Sequence, residues 1–475
     1  MFYRSPKKSV CADVIPFYED GEFKLFYLRD YRDIEHEGEG CPWCLLTTKD
    51  LVHYVDHGPV LLRGSKDEQD LYVFTGSIYK ENGIYYIFYT GHNPHLRKKN
   101  LPEQKILLAT SKDLLHWDKV KDFVFEAPSY LEKHDFRDPF VYKNEKTGEY
   151  NMLLAARAKN HKPINSKGLT LKATSKDLLH WNLEKKPFYA PRAYFTHECP
   201  DLFKMGDKYY LAFSEFTDKV LTTYRMSDNI DGPWETPVNN TFNGHAFYAA
   251  KSVSDGKRRI MFGWNPIKNN ENDNEPWQWG GNIIPQEIYP DPETGELYTK
   301  CPQEILDAYS VEFPLKLKNR LGKTRYKRDF ISFKNCGYNL VDIGKLPNKC
   351  KIDIDFKLRD MVGDFGLIFR GDKKLNKYYS VKIEPKMNRL GYDYQPRPVS
   401  FLHTQVDVEK YCPLKLRKMH KMTIILDDSC VQVYVDDKYA MSARAFEENG
   451  NYAALYSNNI AVDVYSINVK KLVEE

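Results

Sequence analysis

The sequence predicts an all-β protein, a five-bladed β-propeller followed by a C-terminal antiparallel β-sandwich. Three observations carry that expectation. Aromatic side chains make up 14% of the residues, led by 34 tyrosines, and pleated strands accommodate such side chains. A turn-forming segment recurs with a period of about sixty residues between short apolar runs, as in stacked blades. Beyond the first three hundred residues the repeat disappears while alternating strands continue, the pattern of sheets buried on one face.

The elements follow in chain order. Asp13 opens the first apolar run, Val14-Ile15-Pro16-Phe17-Tyr18. The recurrent segment first reads Thr48-Lys49-Asp50-Leu51-Val52-His53-Tyr54. It returns as Ser111-Lys112-Asp113-Leu114-Leu115-His116-Trp117 and as Ser175-Lys176-Asp177-Leu178-Leu179-His180-Trp181, with a weaker copy from Met226 to Trp234. Each copy follows an apolar strand and predicts a tight turn, the Lys-Asp pair bonding the local backbone and the aromatic anchoring the next segment. Strands are also expected at Gly83–Thr90, Tyr150–Ala156, Tyr209–Phe213 and Arg258–Trp264. The run Lys268–Glu275 reads as a polar, mobile loop. Propeller residues 1–302 are expected to pass through a short helical connector, 303–308, into a sandwich over 309–475. There Lys351–Phe356, Tyr379–Glu384, Met422–Leu426 and Val431–Val435 alternate with period two.

Composition excludes several function classes. Lys and Arg number 70 against 66 Asp and Glu, a net charge of +4 with only short basic clusters, so no nucleic-acid partner is expected. No run reaches the ~20 apolar residues of a membrane span. The N-terminus carries no apolar signal region, which points to the cytoplasm. Nine cysteines include one CxxC, Cys41-Pro42-Trp43-Cys44, without a second pair. They are expected as buried free thiols, and neither metal nor cofactor is expected.

Three carboxylates stand at strand edges, one per repeat: Asp13, Asp138 in Phe136-Arg137-Asp138-Pro139-Phe140, and Glu198 in His197-Glu198-Cys199-Pro200-Asp201-Leu202-Phe203. A propeller brings the first strand of each blade to a shared centre, where these acids can meet. Acetal hydrolysis uses two carboxylates, one protonating the leaving oxygen and one attacking or activating water. Glu198, with two acids nearby, suits the proton donor. Asp138, beside Arg137, is expected to remain ionised.

These motifs resemble glycoside hydrolase family 32, the β-fructosidases. The Arg137-Asp138-Pro139 and Glu198-Cys199 stretches resemble its Arg-Asp-Pro and Glu-Cys motifs. Trp43 to Tyr54, Phe74-Thr75-Gly76-Ser77, Gly244 to Ala249, Arg258 to Trp264 and Val431 to Arg444 resemble further segments of its two domains. The resemblance implies a retaining enzyme that releases β-linked fructose from sucrose or short fructo-oligosaccharides. It makes Asp13 the nucleophile, Glu198 the acid/base and Asp138 the transition-state stabiliser. Arg137, Trp43, Phe74, Thr75, His197, Tyr248 and Trp279 are expected to bind the sugar. The chain departs from the pattern where the family has Asn-Asp-Pro-Asn-Gly and this sequence has Ala12-Asp13-Val14-Ile15-Pro16. Leu28 and His197 stand where glutamine and tryptophan are usual. Two alternatives remain: an inverting arabinofuranosidase or xylosidase resembling family 43, and a carbohydrate-binding propeller without catalysis.

Overall fold

The computed structural model describes residues 1–6, 8–217, 219–327, 330–398, 406–447 and 449–472. Lys7 and the last three residues of the expected second domain lie outside that set. The chain is all-β, with 56% of residues in strands and 5% in helix. No helix among the described residues is long and apolar enough to cross a membrane.

The N-terminal part forms four antiparallel sheets. One runs through Tyr72–Glu81, Ile84–His92, Gln104–Ser111 and Asp118–Lys119, and a second through Leu131–Lys143, Tyr150–Ala158, Gly168–Ser175 and Asn182–Leu183. A third holds Glu198–Met205, Lys208–Glu215 and Leu221–Ser227. The fourth joins the two ends of this part of the chain. Trp277–Pro290 pairs with Arg259–Lys268 on one side and, through Cys11 opposite Gly281, with Ser9–Glu19 on the other.

The first strands of these units are Ser9–Glu19, Tyr72–Glu81, Leu131–Lys143, Glu198–Met205 and Tyr248–Ser254. Each lies against the next, and the last lies against the first.

The recurrent segment is a turn built by its hydroxyl and its aspartate. Thr48, Ser111 and Ser175 accept the amide of the leucine three residues on, and Asp50, Asp113 and Asp177 accept the amide of the histidine. Leu51, Leu114 and Leu178 take φ of 61°, 68° and 68°, the left-handed conformation that lets the chain reverse in so few residues. Trp117 and Trp181 close the turn by donating Nε1 to the leucine carbonyl. The lysine of the expected Lys-Asp pair contributes no backbone bond to this turn in the three copies, which the aspartate and hydroxyl already complete.

The C-terminal part contains an eight-stranded and a seven-stranded antiparallel sheet. Cys350–Leu358 alternates strictly between buried and half-buried positions, as its sequence period requires. Inward residues of both sheets share one core, including Ile354, Phe356, Phe365, Val381, Ile424 and Val433. The expected connector is a helix, Gln303–Ala308.

The two parts are bonded together by buried groups. Tyr210, Tyr224 and Tyr309 share a core with Ile425 and Tyr434. Arg444 is fully buried and donates to the Asn265 carbonyl at 2.6 Å and to Asn282 Oδ1 at 2.8 Å. The Lys268–Glu275 run, expected as a mobile loop, is docked instead. Asp273 is 3% exposed and accepts a hydrogen bond from Tyr379, while Lys268 Nζ reaches Asp407 at 3.1 Å. Tyr379 and Asp407 thus give Asp273 and Lys268 of that polar stretch fixed partners in the C-terminal part.

Candidate active site

Each of the five first strands carries a β-bulge at the same level. In Ser9–Glu19 the extra residue is Asp13, between the pairs Ala12–Leu28 and Val14–Tyr27. In Tyr72–Glu81 it is Thr75. In the other three the ladder breaks at Asp138-Pro139, Cys199-Pro200 and Ala249-Ala250. A bulge bends its strand and re-aims a side chain. Asp138, Cys199 and Ala249 take φ of 57°, 50° and 50°, backbone states that cost about 1 kcal/mol or more for residues with a Cβ. Prolines at 139 and 200 follow two of them, removing amides that a regular ladder would have needed.

The bulges bring Asp13, Asp138 and Glu198 into one hydrogen-bonded constellation. Asp13 Oδ1 accepts the Trp264 indole N–H at 2.9 Å, and Oδ2 accepts the Thr75 hydroxyl at 2.5 Å. Asp138 is 3% exposed, and its Oδ2 accepts the Cys199 amide at 2.8 Å. The Asp138 amide donates to Thr90 Oγ1 at 2.8 Å, which anchors the bulge to the neighbouring strand. Glu198 Oε1 accepts Arg137 Nη2 at 2.9 Å, and Oε2 accepts the Tyr248 hydroxyl at 2.5 Å. Arg137 is itself buried and bound to Asp135, which also accepts Arg157 Nη1 at 3.2 Å.

Burial raises two of the acids, Glu198 and Asp138. Burial pushes the Glu198 carboxyl above its usual range; Arg137 and the Tyr248 hydroxyl pull it down, and Asp13 adds to the rise. Such a group can carry a proton and donate it. Burial also pushes Asp138 up to about 7, against the pull of Arg137 and with a further rise from Glu198. Asp138, expected to stay ionised beside Arg137, is instead held near the midpoint of its titration at neutral pH. The guanidinium faces Asp135 and Glu198, and its Nε stands 3.7 Å from Asp138 Oδ2.

That shift has a consequence for stability. Between about pH 4, where an aspartate in the unfolded chain ionises, and pH 7, the folded protein holds a proton the unfolded chain has released. Folding then takes up a proton, so the Asp138 contribution falls as pH rises through this window and is lowest above it. Asp138→Asn is expected to raise the thermal midpoint by about 2 °C or more at pH 7.5. The gain should shrink towards zero at pH 4.5. A midpoint unchanged at pH 7.5, or raised equally at both pH values, would contradict this account.

The other expected sugar-binding residues divide. Thr75 is buried and orients Asp13. Arg137 and Tyr248 both hold Glu198. Phe74 stacks on His92 with centroids 4.5 Å apart and faces Trp279 at 6.5 Å. Trp279 is 37% exposed and lines the adjoining cleft.

Trp43 and His197 are corrected. Trp43 is fully buried among Phe26 and Tyr89 and donates Nε1 to the Phe74 carbonyl, so no ring face is open to a sugar. His197, just before the strand Glu198–Met205, is fully buried. Its Nδ1 bonds with Thr170 Oγ1 at 3.0 Å and its ring packs on Phe213. Burial lowers its pKa to about 3, which keeps the imidazole neutral.

Residues outside the expected set complete the site. Trp264 and Thr90 bond directly to the first and second acids, and Asp135 holds Arg137. A cleft of about 950 Å³ opens beside Glu198, Tyr248 and Trp264 and reaches Glu409, Lys410 and Tyr411 of the C-terminal sheet.

Comparison with known proteins places this geometry. Residues 5–301 match the glycosyl hydrolases family 32 N-terminal domain, and residues 328–471 match the glycosyl hydrolases family 32 C terminal. The chain is 28% identical over 426 residues to a sucrose-6-phosphate hydrolase of Escherichia coli, covering 86% of this chain and 80% of that protein. It is 23% identical over 534 residues to an insoluble beta-fructofuranosidase isoenzyme of Arabidopsis thaliana, covering 98% and 91%. Among solved structures, fructan 1-exohydrolase IIa from Cichorium intybus superposes with a TM-score of 0.74 at 17% identity, covering 99% of this chain and 96% of that one. Exo-inulinase from Aspergillus awamori gives 0.73 at 19% identity, covering 100% and 98%.

Proposed function

This chain belongs to glycosyl hydrolase family 32, and from that premise we propose that it cleaves β-linked fructose from sucrose or short fructo-oligosaccharides by double displacement. The observation that carries the reading is the trio of acids on three of the five bulged strands, each held by different donors. Asp13, oriented through both oxygens by Trp264 and Thr75, attacks the anomeric carbon. Glu198 gives its proton to the departing glycosidic oxygen as that bond breaks. Water then attacks the same carbon, Glu198 takes the water's proton, and Asp13 is released. Asp138, in its ionised form, accepts hydrogen bonds from fructosyl hydroxyls and stabilises the positive charge that develops on the ring.

The same reading takes residues 1–302 as a five-bladed propeller, 303–308 as connector and 309–475 as a sandwich. The ring of five bulged first strands supports five blades, the fifth sharing its sheet with the first. The helix Gln303–Ala308 falls between the two family matches. The single core shared by the last two sheets supports the sandwich.

The test is the stereochemistry of release. Nuclear magnetic resonance during sucrose hydrolysis should detect β-fructofuranose first, before mutarotation. First appearance of the α anomer would overturn double displacement and favour a water-activating, inverting site.

A further inference from the structure

We propose that the turn joining Lys318–Leu321 to Thr324–Lys327, on the outer edge of the C-terminal part, is a docking surface for an anionic lipid bilayer. The surface is independent of the reaction at the acids.

Its charge is concentrated by spacing. Residues 316–327 hold six Lys or Arg and no Asp or Glu, whereas the whole chain carries a net +4. Lys316, Lys318 and Arg320 stand two apart, as do Lys323, Arg325 and Lys327, so each set shares one side of an extended chain. All six are exposed, while Leu315 and Leu317, which alternate with the first set, pack on the core. Single residues separate the cations, so no unbroken basic run marks them in the sequence. The acids nearby are already engaged. Asp342, across from Lys318, is bound by Arg320 at 2.9 Å, and Asp463 is bound by Arg359 at 3.3 Å and by the Ser332 hydroxyl at 2.7 Å. The other five cations of the segment form no ion pair among the described residues. Arg328 and Asp329, next in the chain, lie outside those residues, and their charges cancel. Arg320 also donates to the Lys373 carbonyl at 2.9 Å, which sets the exposed Lys373 and Lys374 alongside. Asp372, the acid of that loop, accepts the Asn376 amide at 2.6 Å.

The turn is preformed. Its two strands are the terminal strands of different sheets: Lys318–Leu321 pairs with Tyr338–Lys345 in the seven-stranded sheet, and Thr324–Lys327 with Phe330–Phe333 in the eight-stranded one. Between them Gly322 takes φ of 81°, and a Cβ there would stand 2.3 Å from Asn339 Oδ1. Asn339 is fully buried, and that oxygen accepts the Lys323 amide at 3.1 Å. Asn319 Nδ2 donates to the Gly322 carbonyl at 3.2 Å. A fixed turn presents its side chains with little ordering cost on binding.

The apolar groups select a lipid surface. Leu321, at the turn, is 51% exposed, and Tyr326 and Phe330 on the adjoining strands are 44% and 39% exposed. Lysines on a terminal strand can serve to block pairing with another sheet edge. An exposed leucine between basic strands serves no such purpose. A bilayer accepts both, because cations meet anionic headgroups while an apolar tip and aromatic rings enter the boundary beneath. Single-stranded nucleic acid instead needs open ring faces on which bases stack. Here Phe330 and Tyr465 meet edge to face at 5.5 Å, and Lys357 Nζ stands over the Tyr465 ring at 5.0 Å.

The experiment is sedimentation of the full chain with vesicles of phosphatidylcholine alone or with about 30 mol% phosphatidylserine. The expected result is binding to the anionic vesicles only, weakened about tenfold or more in about 0.5 M salt. Lys323→Gln with Arg325→Gln should weaken it about 25-fold, two cations at about fivefold each. Leu321→Ser should weaken it about three- to tenfold through lost apolar burial. Lys185→Gln with Lys186→Gln, exposed cations of the N-terminal part, should change nothing. An unchanged thermal midpoint in each variant keeps lost binding apart from lost fold. No binding to the anionic vesicles, equal binding to both compositions, or an equal loss in the control variant would overturn the docking surface. Binding untouched by Leu321→Ser would overturn insertion at the turn, and tighter binding to a single-stranded oligonucleotide would replace the bilayer with nucleic acid.

Discussion

Asp13→Asn is expected to slow fructose release from sucrose by about 10⁴-fold or more, the scale of losing a catalytic nucleophile. Asparagine keeps the volume of the side chain but replaces one carboxylate oxygen with an amide nitrogen that cannot attack carbon. It also places a donor where Asp13 offered acceptors alone. Both Asp13 oxygens accept hydrogen bonds, from Trp264 Nε1 at 2.9 Å and from Thr75 Oγ1. With the amide oxygen towards Trp264, the new –NH2 can donate to Thr75 Oγ1, whose hydroxyl accepts as well as donates; the reverse orientation leaves the indole N–H unpaired at a cost of about 1–3 kcal/mol. A thermal melt must therefore accompany the kinetics, so that lost chemistry is separated from lost fold. The decisive readout is covalent. A peptide containing Asp13 should gain the mass of one fructosyl group when wild type is quenched during turnover, and the variant should give none. Activity within tenfold of wild type, or the label on another carboxylate, would remove Asp13 from the nucleophile's role.

The sheets were legible in the sequence because their causes are local. Alternation in Lys351–Phe356 dictates one buried face, and the repeated hydroxyl-Lys-Asp-Leu segment carries its own turn in its side chains. Left-handed Leu51, Leu114 and Leu178 were not legible, since leucine does not favour that conformation. It is imposed by the aspartate and hydroxyl bonds on either side. The Lys268–Glu275 run reads as a loop because its residues are polar; its docking depends on Tyr379, more than a hundred residues away. Contacts of that separation leave no local pattern.

That three acids could meet was legible in the sequence, while the surroundings of the candidate site were not. His197 stands just before the strand that Glu198 opens and packs on Thr170 and Phe213, although proximity in sequence suggested a pocket wall. Trp43 sits in a strand whose six residues are all buried, so its ring became core. Trp264 reaches Asp13 from a strand some 250 residues along the chain and belongs to no acidic motif. Asp138 illustrates the limit of reading charge from neighbours. Arg137 adjoins it in sequence, yet the bulge turns that guanidinium mainly to Asp135 and Glu198, and burial decides the Asp138 proton.

Glu198→Gln should lower kcat on sucrose by about 10²- to 10⁴-fold, the usual scale of general acid–base catalysis. The amide can still accept from Arg137 and meet the Tyr248 hydroxyl, so the loss reports proton transfer rather than a displaced side chain. Two consequences distinguish an acid/base from a residue that only binds. An aryl β-fructofuranoside leaves as a phenolate and needs little protonation, so its first step should lose far less than that of sucrose. The second step still needs a base to activate water, so fructosyl-enzyme should accumulate and a burst of phenolate should appear. Azide, which attacks without losing a proton, should then restore turnover and yield β-fructosyl azide. Burial raises Glu198, so in wild type the basic limb of kcat/KM on sucrose should lie above the range of an ordinary glutamate. That limb should vanish for Glu198→Gln. Equal losses on sucrose and the aryl substrate, with no response to azide, would mean that the proton comes from another group. Asp138, pushed up to about 7 by the same burial, would then be the carboxyl to test.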